Sequence, residues 1–290
     1  AIQVLNRRQP NVTIRNCVIN NTGEFLGMGS FYETADNKAI YALVTNNLLI
    51  EYNKIDTVGM SGIQFNGSDV IIRNNSINHF CYTLHDYGGI YTYAGSTATI
   101  YTNRTIMNNI VMNGVGAPAG TTSLKPDFAG IFLDDLSMNV NVVDNTVFNC
   151  DKGIQSNTPS GVKLRGNTLY DNHMAINIVH KAMGTITDLS VTKNVSFPTS
   201  NDQVNFIFME MAMNYPVATT LPNCLKALGR IDSNNYHSFS GTSIVAEIHE
   251  NAGSPMIPSS PYSLEAWRAA STHDLVTKTP AQKVQSYTIN

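Results

Sequence analysis

Residues 145–177, NTVFNCDKGIQSNTPSGVKLRGNTLYDNHMAIN, repeat the same phrases at a constant distance. Asn145-Thr-Val returns as Asn167-Thr-Leu after 22 residues, and Gly153-Ile-Gln returns as Ala175-Ile-Asn after the same step. Two independent markers therefore share one period. A fixed period of this length is typical of a solenoid, in which each repeat stacks on the one before it.

The same two phrases recur along the first 200 residues. The Asn phrase begins at Asn16, Asn53, Asn75, Asn109, Asn145, Asn167 and, more loosely, Asn194, and the Gly-Ile phrase begins at Gly62, Gly89, Gly130, Gly153 and Ala175. Longer steps of 34 and 36 residues between Asn phrases indicate one coil with an inserted loop. Segments between the phrases, such as Asp69-Val-Ile-Ile-Arg, alternate with period two and are predicted strands. This pattern predicts an all-β fold, a parallel β-helix with coils of about 22 residues.

The repeat also predicts the domain organisation. We expect one β-helix domain over residues 1–290, with regular coils over about 11–200 and closing coils with a tail over about 201–290. Residues 204–213 predict a further coil, and Ser263 predicts the N-cap of a short helix in the tail. Because the chain opens directly in a strand pattern, we expect N-terminal coils of a longer protein to precede it. Most Asn side chains are expected to stack as a structural ladder.

Composition excludes several classes of protein. Charged residues make up 13% of the chain, against about 25% in an average globular protein. The 18 Lys and Arg residues are dispersed, so we expect no nucleic-acid partner. No apolar run approaches the roughly 20 residues of a membrane span, so we expect no membrane partner. The 4 Cys residues lie far apart and are expected to be isolated buried thiols; the oligomeric state is not indicated.

Two coils depart from the repeat at the position three residues before the Gly of the Gly-Ile phrase. That residue is Asp86 in HDYGGIYTY and Asp127 in PDFAGIFLDD, and both coils carry insertions. Parallel strands lie about 4.8 Å apart, so Asp86 and Asp127 should be neighbours on the surface, and their repulsion should raise one pKa. One protonated and one ionised carboxyl is what glycoside hydrolysis needs, which makes both aspartates candidate catalytic residues. Ordinary turn residues and a Ca²⁺ site remain alternatives.

The same two coils contain candidate substrate-binding residues. Aromatic rings at Tyr87, Tyr91 and Tyr93, with Phe128 and Phe132 on the next coil, offer flat faces for sugar rings. Asp134 and Asp135 could bind sugar hydroxyls, bind a cation, or supply the second catalytic carboxylate. His85 could hydrogen-bond a substrate or tune Asp86. We predict no resident metal or other cofactor, with Ca²⁺ as the possible exception.

At these residues the chain resembles a known group of enzymes. HDYGGIYTY, a long insertion, AGIFLDD and NVNVVDNTVF together resemble bacterial right-handed parallel β-helix carbohydrate-active enzymes, nearest to glycoside hydrolase family 141 with family 120 as a cousin. The tail SLEAWRAASTHD resembles the closing segment of such helices, so the resemblance covers about residues 50–170 and 260–275. It implies a single-stranded, right-handed, pectate-lyase-like helix and an α-L-fucosidase or xylanase activity that uses Asp86 and Asp127. Gly88-Gly89 departs from the Gly-Ala frequent in that group.

The function predicted from the sequence is hydrolysis of a plant or algal polysaccharide or oligosaccharide, with a spacing of one coil favouring retention. Because polymeric substrates lie outside the cell, we expect a secreted or periplasmic enzyme. One alternative is a polysaccharide lyase, which the lack of Lys and Arg in segments 86–93 and 127–135 disfavours and which Ca²⁺ at Asp134-Asp135 would restore. The other is a β-helix adhesin that binds glycans without catalysis.

Overall fold

A computed structural model describes most of the chain. The described residues are 1–4, 11–25, 37–43, 46–96, 100–118, 127–210, 225–226, 228–237, 245–250, 257–258 and 261–277. Among them, the strands form three long sheets that run side by side along the molecule. No helix within these residues has the length and apolar character needed to cross a lipid bilayer.

Each coil contributes one strand to each sheet, so strand n pairs in parallel with strand n+3. The first sheet contains β1 (Ile2–Val4), β4 (Ile40–Ala42), β7 (Ile63–Phe65), β10 (Tyr87–Thr92), β13 (Phe128–Leu133), β16 (Lys152–Asn157), β19 (Met174–His180), β22 (Val204–Glu210), β25 (Ala246–Glu250) and the antiparallel β26 (Ile257–Pro258). The second contains β2 (Val12–Arg15), β5 (Leu48–Glu51), β8 (Val70–Arg73), β11 (Arg104–Met107), β14 (Val140–Val143), β17 (Lys163–Arg165), β20 (Ser190–Thr192) and β23 (Arg230–Asp232). The third contains β3 (Val18–Thr22), β6 (Lys54–Val58), β9 (Ser76–Asn78), β12 (Ile110–Met112), β15 (Thr146–Phe148), β18 (Thr168–Tyr170), β21 (Val195–Phe197) and β24 (Asn235–Tyr236). The predicted parallel β-helix is confirmed.

The core is a stack of aliphatic side chains between the three sheets. One column in the first sheet consists of Ile40, Ile63, Ile90, Ile131, Ile154 and Ile176, all of them buried and in register. These are the Ile residues of the recurring Gly-Ile phrase. β-branched side chains suit a pleated, fully buried surface, and each buries apolar area worth about 1.5–3 kcal/mol.

An asparagine ladder turns the chain between the second and third sheets. Its buried members are Asn53, Asn75, Asn109, Asn145, Asn167, Asn194 and Asn234. From Asn75 onward, the Oδ1 atom of each accepts from the backbone N–H and from Nδ2 of the Asn one coil earlier, as Asn75 does from Asn53 at 3.0 and 2.9 Å. These contacts confirm the predicted ladder. The side chains satisfy backbone groups that a buried turn would leave unpaired.

The first coil differs from the predicted ladder. Cys17, and not Asn16, occupies the ladder position, since Val18 pairs with Lys54 and the Cys17 N–H donates to Asn53 Oδ1 at 3.0 Å. Asn16 takes the preceding left-handed position, at φ 56°. Asn16 therefore adopts the left-handed backbone angle, and Cys17 takes the stacking position.

A helical tail closes the upper end of the ladder. Helix α1 (Leu264–Ser271) begins at the predicted N-cap Ser263, whose side chain accepts from the Ala266 N–H. Trp267 is fully buried and donates from Nε1 to Asp274 Oδ2 at 2.9 Å, while Asp274 Oδ1 accepts from Asn234 Nδ2 at 3.1 Å. The tail therefore supplies the hydrogen-bond acceptor that a further coil would otherwise provide.

Free thiols and the closing coils complete the comparison with the sequence. Cys81 and Cys150 are buried and free, as predicted, whereas Cys17 is half-buried. Strand β22 begins at residue 204, where a further coil was expected, and β23 to β25 follow within the region 201–290 for which closing coils were predicted. Cys224 and most of the Pro-rich segments near 216–222 and 255–261 lie outside the described residues.

Candidate active site

Asp86 and Asp127 are neighbours on adjacent coils. Tyr87 is paired with Phe128 in the β10–β13 ladder, so the two aspartates occupy the same position immediately before their strands. The Asp86 N–H donates to the Asp127 carbonyl oxygen at 2.5 Å. The alignment predicted from the Gly-Ile phrase is therefore confirmed.

Their backbones are nevertheless different. Asp86 has a left-handed conformation, with φ 64°, which a non-glycine residue adopts at a cost, whereas Asp127 does not. The common register therefore does not give the two aspartates the same backbone conformation.

The Asp86 carboxyl is the strongly perturbed acid of the pair. Asp86 is an exposed residue, but the protein atoms packed around its carboxyl displace part of the water there and raise its pKa to about 7. This desolvation is the largest cause, and the negative charges of Asp127 and then Asp134 add to it. The expected rise in one pKa is confirmed, although repulsion between the aspartates is only its second cause. Asp86 can thus carry and donate a proton near neutral pH.

Asp127 differs from Asp86 because it has a direct cationic partner. Its side chain is 49% exposed, and Lys152 Nζ donates to its Oδ1 at 2.7 Å. Lys152 lies on β16, in the following coil, so segments 86–93 and 127–135, which contain no Lys or Arg, did not predict it. The contact places a cation directly beside the Asp127 carboxylate. A signal was available, since Lys152 directly precedes the recurring Gly153 of the next coil.

The far ends of the same strands carry a second acidic cluster. Asp134 is buried; its Oδ2 accepts from the Tyr91 hydroxyl and its Oδ1 from Asn157 Nδ2, both at 2.7 Å. Burial raises the pKa of Asp134. Lys181 Nζ donates to Asp135 Oδ1 at 2.6 Å. Asp134 is therefore occupied by protein partners, and Asp135 with Lys181 forms the more accessible part of the cluster.

Most of the predicted substrate-stacking rings are buried, and one is exposed. Tyr87 and Tyr91 are each 5% exposed, with ring centroids 4.7 Å apart, and the Tyr91 ring meets Phe132 edge-on at 5.5 Å. Phe128 is likewise buried. These rings cover one another and cannot offer the free faces that were predicted for sugar stacking. Tyr93, 44% exposed, is the predicted ring that can.

His85 places an unpaired polar atom beside Asp86. Its Nδ1 is buried and has no hydrogen-bond partner among the described residues. Unpaired buried polar atoms are rare in proteins and are often satisfied by a ligand or water. The described part of the chain contains no group of three or more His, Cys, Asp or Glu side chains arranged to hold a metal ion.

The comparison with protein families agrees with this geometry. The family model described as a right-handed β-helix region matches residues 1–195. The chain belongs to this right-handed β-helix family. The three parallel sheets and the recurring coils described above are what such membership requires.

Membership of this family shows the fold and its right-handed coiling, but it does not identify the function. The right-handed β-helix domain is common to pectate lyases, glycoside hydrolases and adhesins. No curated protein and no solved structure is significantly similar to the chain. The assignment to glycoside hydrolase family 141 or 120 therefore stays a prediction from the short motifs around Asp86 and Asp127.

Proposed function

We propose that this right-handed β-helix protein is a glycoside hydrolase whose catalytic pair is Asp86 and Asp127. The observation that supports the proposal most strongly is the contrast between the two carboxyls. The pKa of Asp86 is raised to about 7 by burial and neighbouring carboxylates, while Asp127, one coil away, is ion-paired to Lys152. A carboxyl that holds its proton near neutral pH, beside a second carboxyl with a cationic partner, suits the acid and the nucleophile of glycosidic bond cleavage.

The proposed reaction divides the work between the two groups. Asp86 donates its proton to the glycosidic oxygen as the bond to the anomeric carbon breaks, so the leaving group departs as a neutral alcohol. Asp127 forms a bond to the anomeric carbon from the opposite side. Water, deprotonated by the now ionised Asp86, then displaces Asp127 and restores both groups. Neighbouring coils lie about 4.8 Å apart, close to the separation of about 5–5.5 Å in retaining enzymes, so we propose retention.

The surroundings of the pair suit a carbohydrate. Tyr93 exposes a ring on which a sugar can stack. Asp135 and Lys181, at the other end of the strands, can bind hydroxyls of a second sugar unit. We propose a plant or algal polysaccharide or oligosaccharide as substrate, with no metal ion in the chemical step.

One observation favours a second candidate, a polysaccharide lyase. Lys152 and Lys181 bring two cations to a site that the sequence suggested had none, and cations are needed to neutralise a uronate. Both ammonium groups, however, already contact protein carboxylates at 2.7 and 2.6 Å. A base or a uronate-binding cation would have to give up those contacts, so hydrolysis fits the site better.

The test is product formation from a panel of neutral and acidic polysaccharides. Wild type should release reducing ends without the ultraviolet absorbance of an unsaturated uronate, and Asp86→Asn should lose activity by about 10²–10⁴-fold. The matched control is Asp69→Asn, because Asp69 also has a left-handed backbone, at φ 57°, but lies at an exposed corner before β8. Absorbance that requires Ca²⁺ would replace the hydrolase by a lyase, and glycan binding without turnover would favour an adhesin.

A further inference from the structure

A buried lysine lies behind the proposed catalytic pair. The Lys152 side chain is 9% exposed, and its Nζ donates to Asp127 Oδ1 at 2.7 Å and to Asp151 Oδ2 at 2.8 Å. A buried ammonium group is costly unless it is paired. Burial by itself would lower the pKa of Lys152, but the charges of Asp151 and Asp127 outweigh it and raise the pKa.

The neighbouring strands supply no competing charge to Lys152. Its partners in the parallel ladder are Ala129 on β13 and Met174 on β19. Neither side chain carries a charge, and neither has an oxygen atom that could accept a hydrogen bond from the ammonium group. The position of Nζ is therefore set by its two carboxylates.

Asp151 is itself held from the outer side. His173 Nδ1 lies 3.2 Å from Asp151 Oδ1, and the hydrogen bond to Asp151 raises the pKa of His173. The charge of Asp202 acts on His173 in the same direction. A continuous chain of polar contacts thus runs from His173 through Asp151 and Lys152 to Asp127, the member of the proposed catalytic pair that contacts a cation.

We infer that Lys152 is a positioning residue, whose ammonium group holds the Asp127 carboxylate oriented for attack, with Asp151 and His173 holding the ammonium in place. The inference rests on the proposed hydrolase function. Lys152 touches Asp127 and is 9% exposed, so it acts through Asp127 and not on the substrate. Its charge also opposes the rise that burial and the neighbouring carboxylates impose on the pKa of Asp86.

The test compares Lys152→Met and Lys152→Gln with Lys163→Met, which removes an exposed lysine from β17. Lys152→Gln keeps an N–H donor and serves if Lys152→Met does not fold. The pH dependence of kcat/KM is measured on the substrate identified in the panel. Because the Lys152 charge lowers the pKa of Asp86, the alkaline limb of the profile should move to higher pH in both Lys152 variants, and Lys163→Met should retain the wild-type profile. A profile that only falls in height, with its alkaline limb unmoved, would show a structural role and overturn the inference.

A second readout does not depend on turnover. In protein labelled with ¹³C at the Asp carboxyls, the signal that Asp86→Asn removes is followed against pH. Its midpoint, about 7 in wild type, should rise in both Lys152 variants and stay in place in Lys163→Met. An unmoved midpoint would overturn the inference. If wild type hydrolyses nothing while the midpoint still rises, the hydrolase proposal fails and the control of the site's charge by Lys152 stands.

Discussion

Replacing one asparagine of the buried ladder should destabilise the fold by an amount that the contacts allow us to work out. Asn145 is 1% exposed. Its Oδ1 accepts from the Asn109 N–H at 3.0 Å and from Asn109 Nδ2 at 3.0 Å, and its Nδ2 donates to Asn167 Oδ1 and the Ile106 carbonyl, both at 3.0 Å. Asn145→Ala removes these four contacts and a fifth, from Nδ2 to the Val143 carbonyl at 3.1 Å, inside a space that alanine does not fill.

The magnitude follows from what each contact leaves behind. The Asn109 N–H loses its acceptor in the interior, which costs about 1–3 kcal/mol. The other contacts leave groups that keep a second partner, and each contributes a net 0.5–1.5 kcal/mol or so at most. The expected loss in the free energy of unfolding is about 2–5 kcal/mol, a large share of the roughly 5–15 kcal/mol of a typical domain.

The control is Asn78→Ala, on the outer face of the third sheet. Asn78 Nδ2 donates to Asp56 Oδ2 at 2.9 Å and its Oδ1 accepts from Asn113 Nδ2 at 2.8 Å, but both contacts are only partly buried and water can replace them. The expected loss is below about 1 kcal/mol. Urea unfolding followed by circular dichroism measures both variants, provided that the denaturant slope is unchanged. A loss for Asn145→Ala no larger than that for Asn78→Ala would refute the structural role of the ladder.

Three further predictions concern the aspartate pair. The alkaline limb of kcat/KM should have its midpoint near pH 7, where Asp86 loses its proton, and activity should fall about tenfold per unit above it; a pH-independent rate up to pH 9 would contradict this. Since the pKa of Asp86 is about 7 in the folded protein against 3.8 for a solvated carboxyl, the folded state binds the extra proton between these values and Asp86 costs stability as pH rises through them. Asp86→Asn should therefore raise the thermal midpoint at pH 8, with the gain vanishing below pH 4, and an equal gain at both pH values would refute this. Proton NMR of the first-formed sugar should show the retained anomer, whereas inversion would mean that the left-handed backbone of Asp86 separates the carboxyls further than one coil spacing.

Features that follow from the period could be predicted from the sequence alone. Each coil repeats the same backbone path, so equal positions in the Gly-Ile phrase become neighbours, and the alignment of Asp86 with Asp127 followed directly. The ladder was predictable for the same reason. It failed only in the first coil, where Cys17 takes the place of an Asn and the sequence marker slips by one residue.

Features that depend on reach between coils could not be predicted from one segment. Lys152 and Lys181 belong to later coils, but their long side chains extend back to Asp127 and Asp135. The burial of Tyr87 and Tyr91 arises from ring contacts within one strand and with the next coil, which the alternation of residues does not specify. The pKa of Asp86 depends first on burial, a property of the surrounding atoms and not of the acidic neighbour that the sequence showed.

The most direct test of the central claim separates the roles of the two aspartates by leaving group. Once the panel identifies the sugar, Asp86→Asn and Asp127→Asn are assayed on its dinitrophenyl glycoside, whose leaving group departs without protonation, and on the natural linkage. We predict that Asp86→Asn keeps kcat/KM on the dinitrophenyl glycoside, since kcat/KM reports the first step, and loses kcat/KM on the natural linkage, while Asp127→Asn loses both. Equal losses on both substrates for Asp86→Asn, or an active Asp127→Asn, would contradict the assignment of Asp86 as acid and Asp127 as nucleophile.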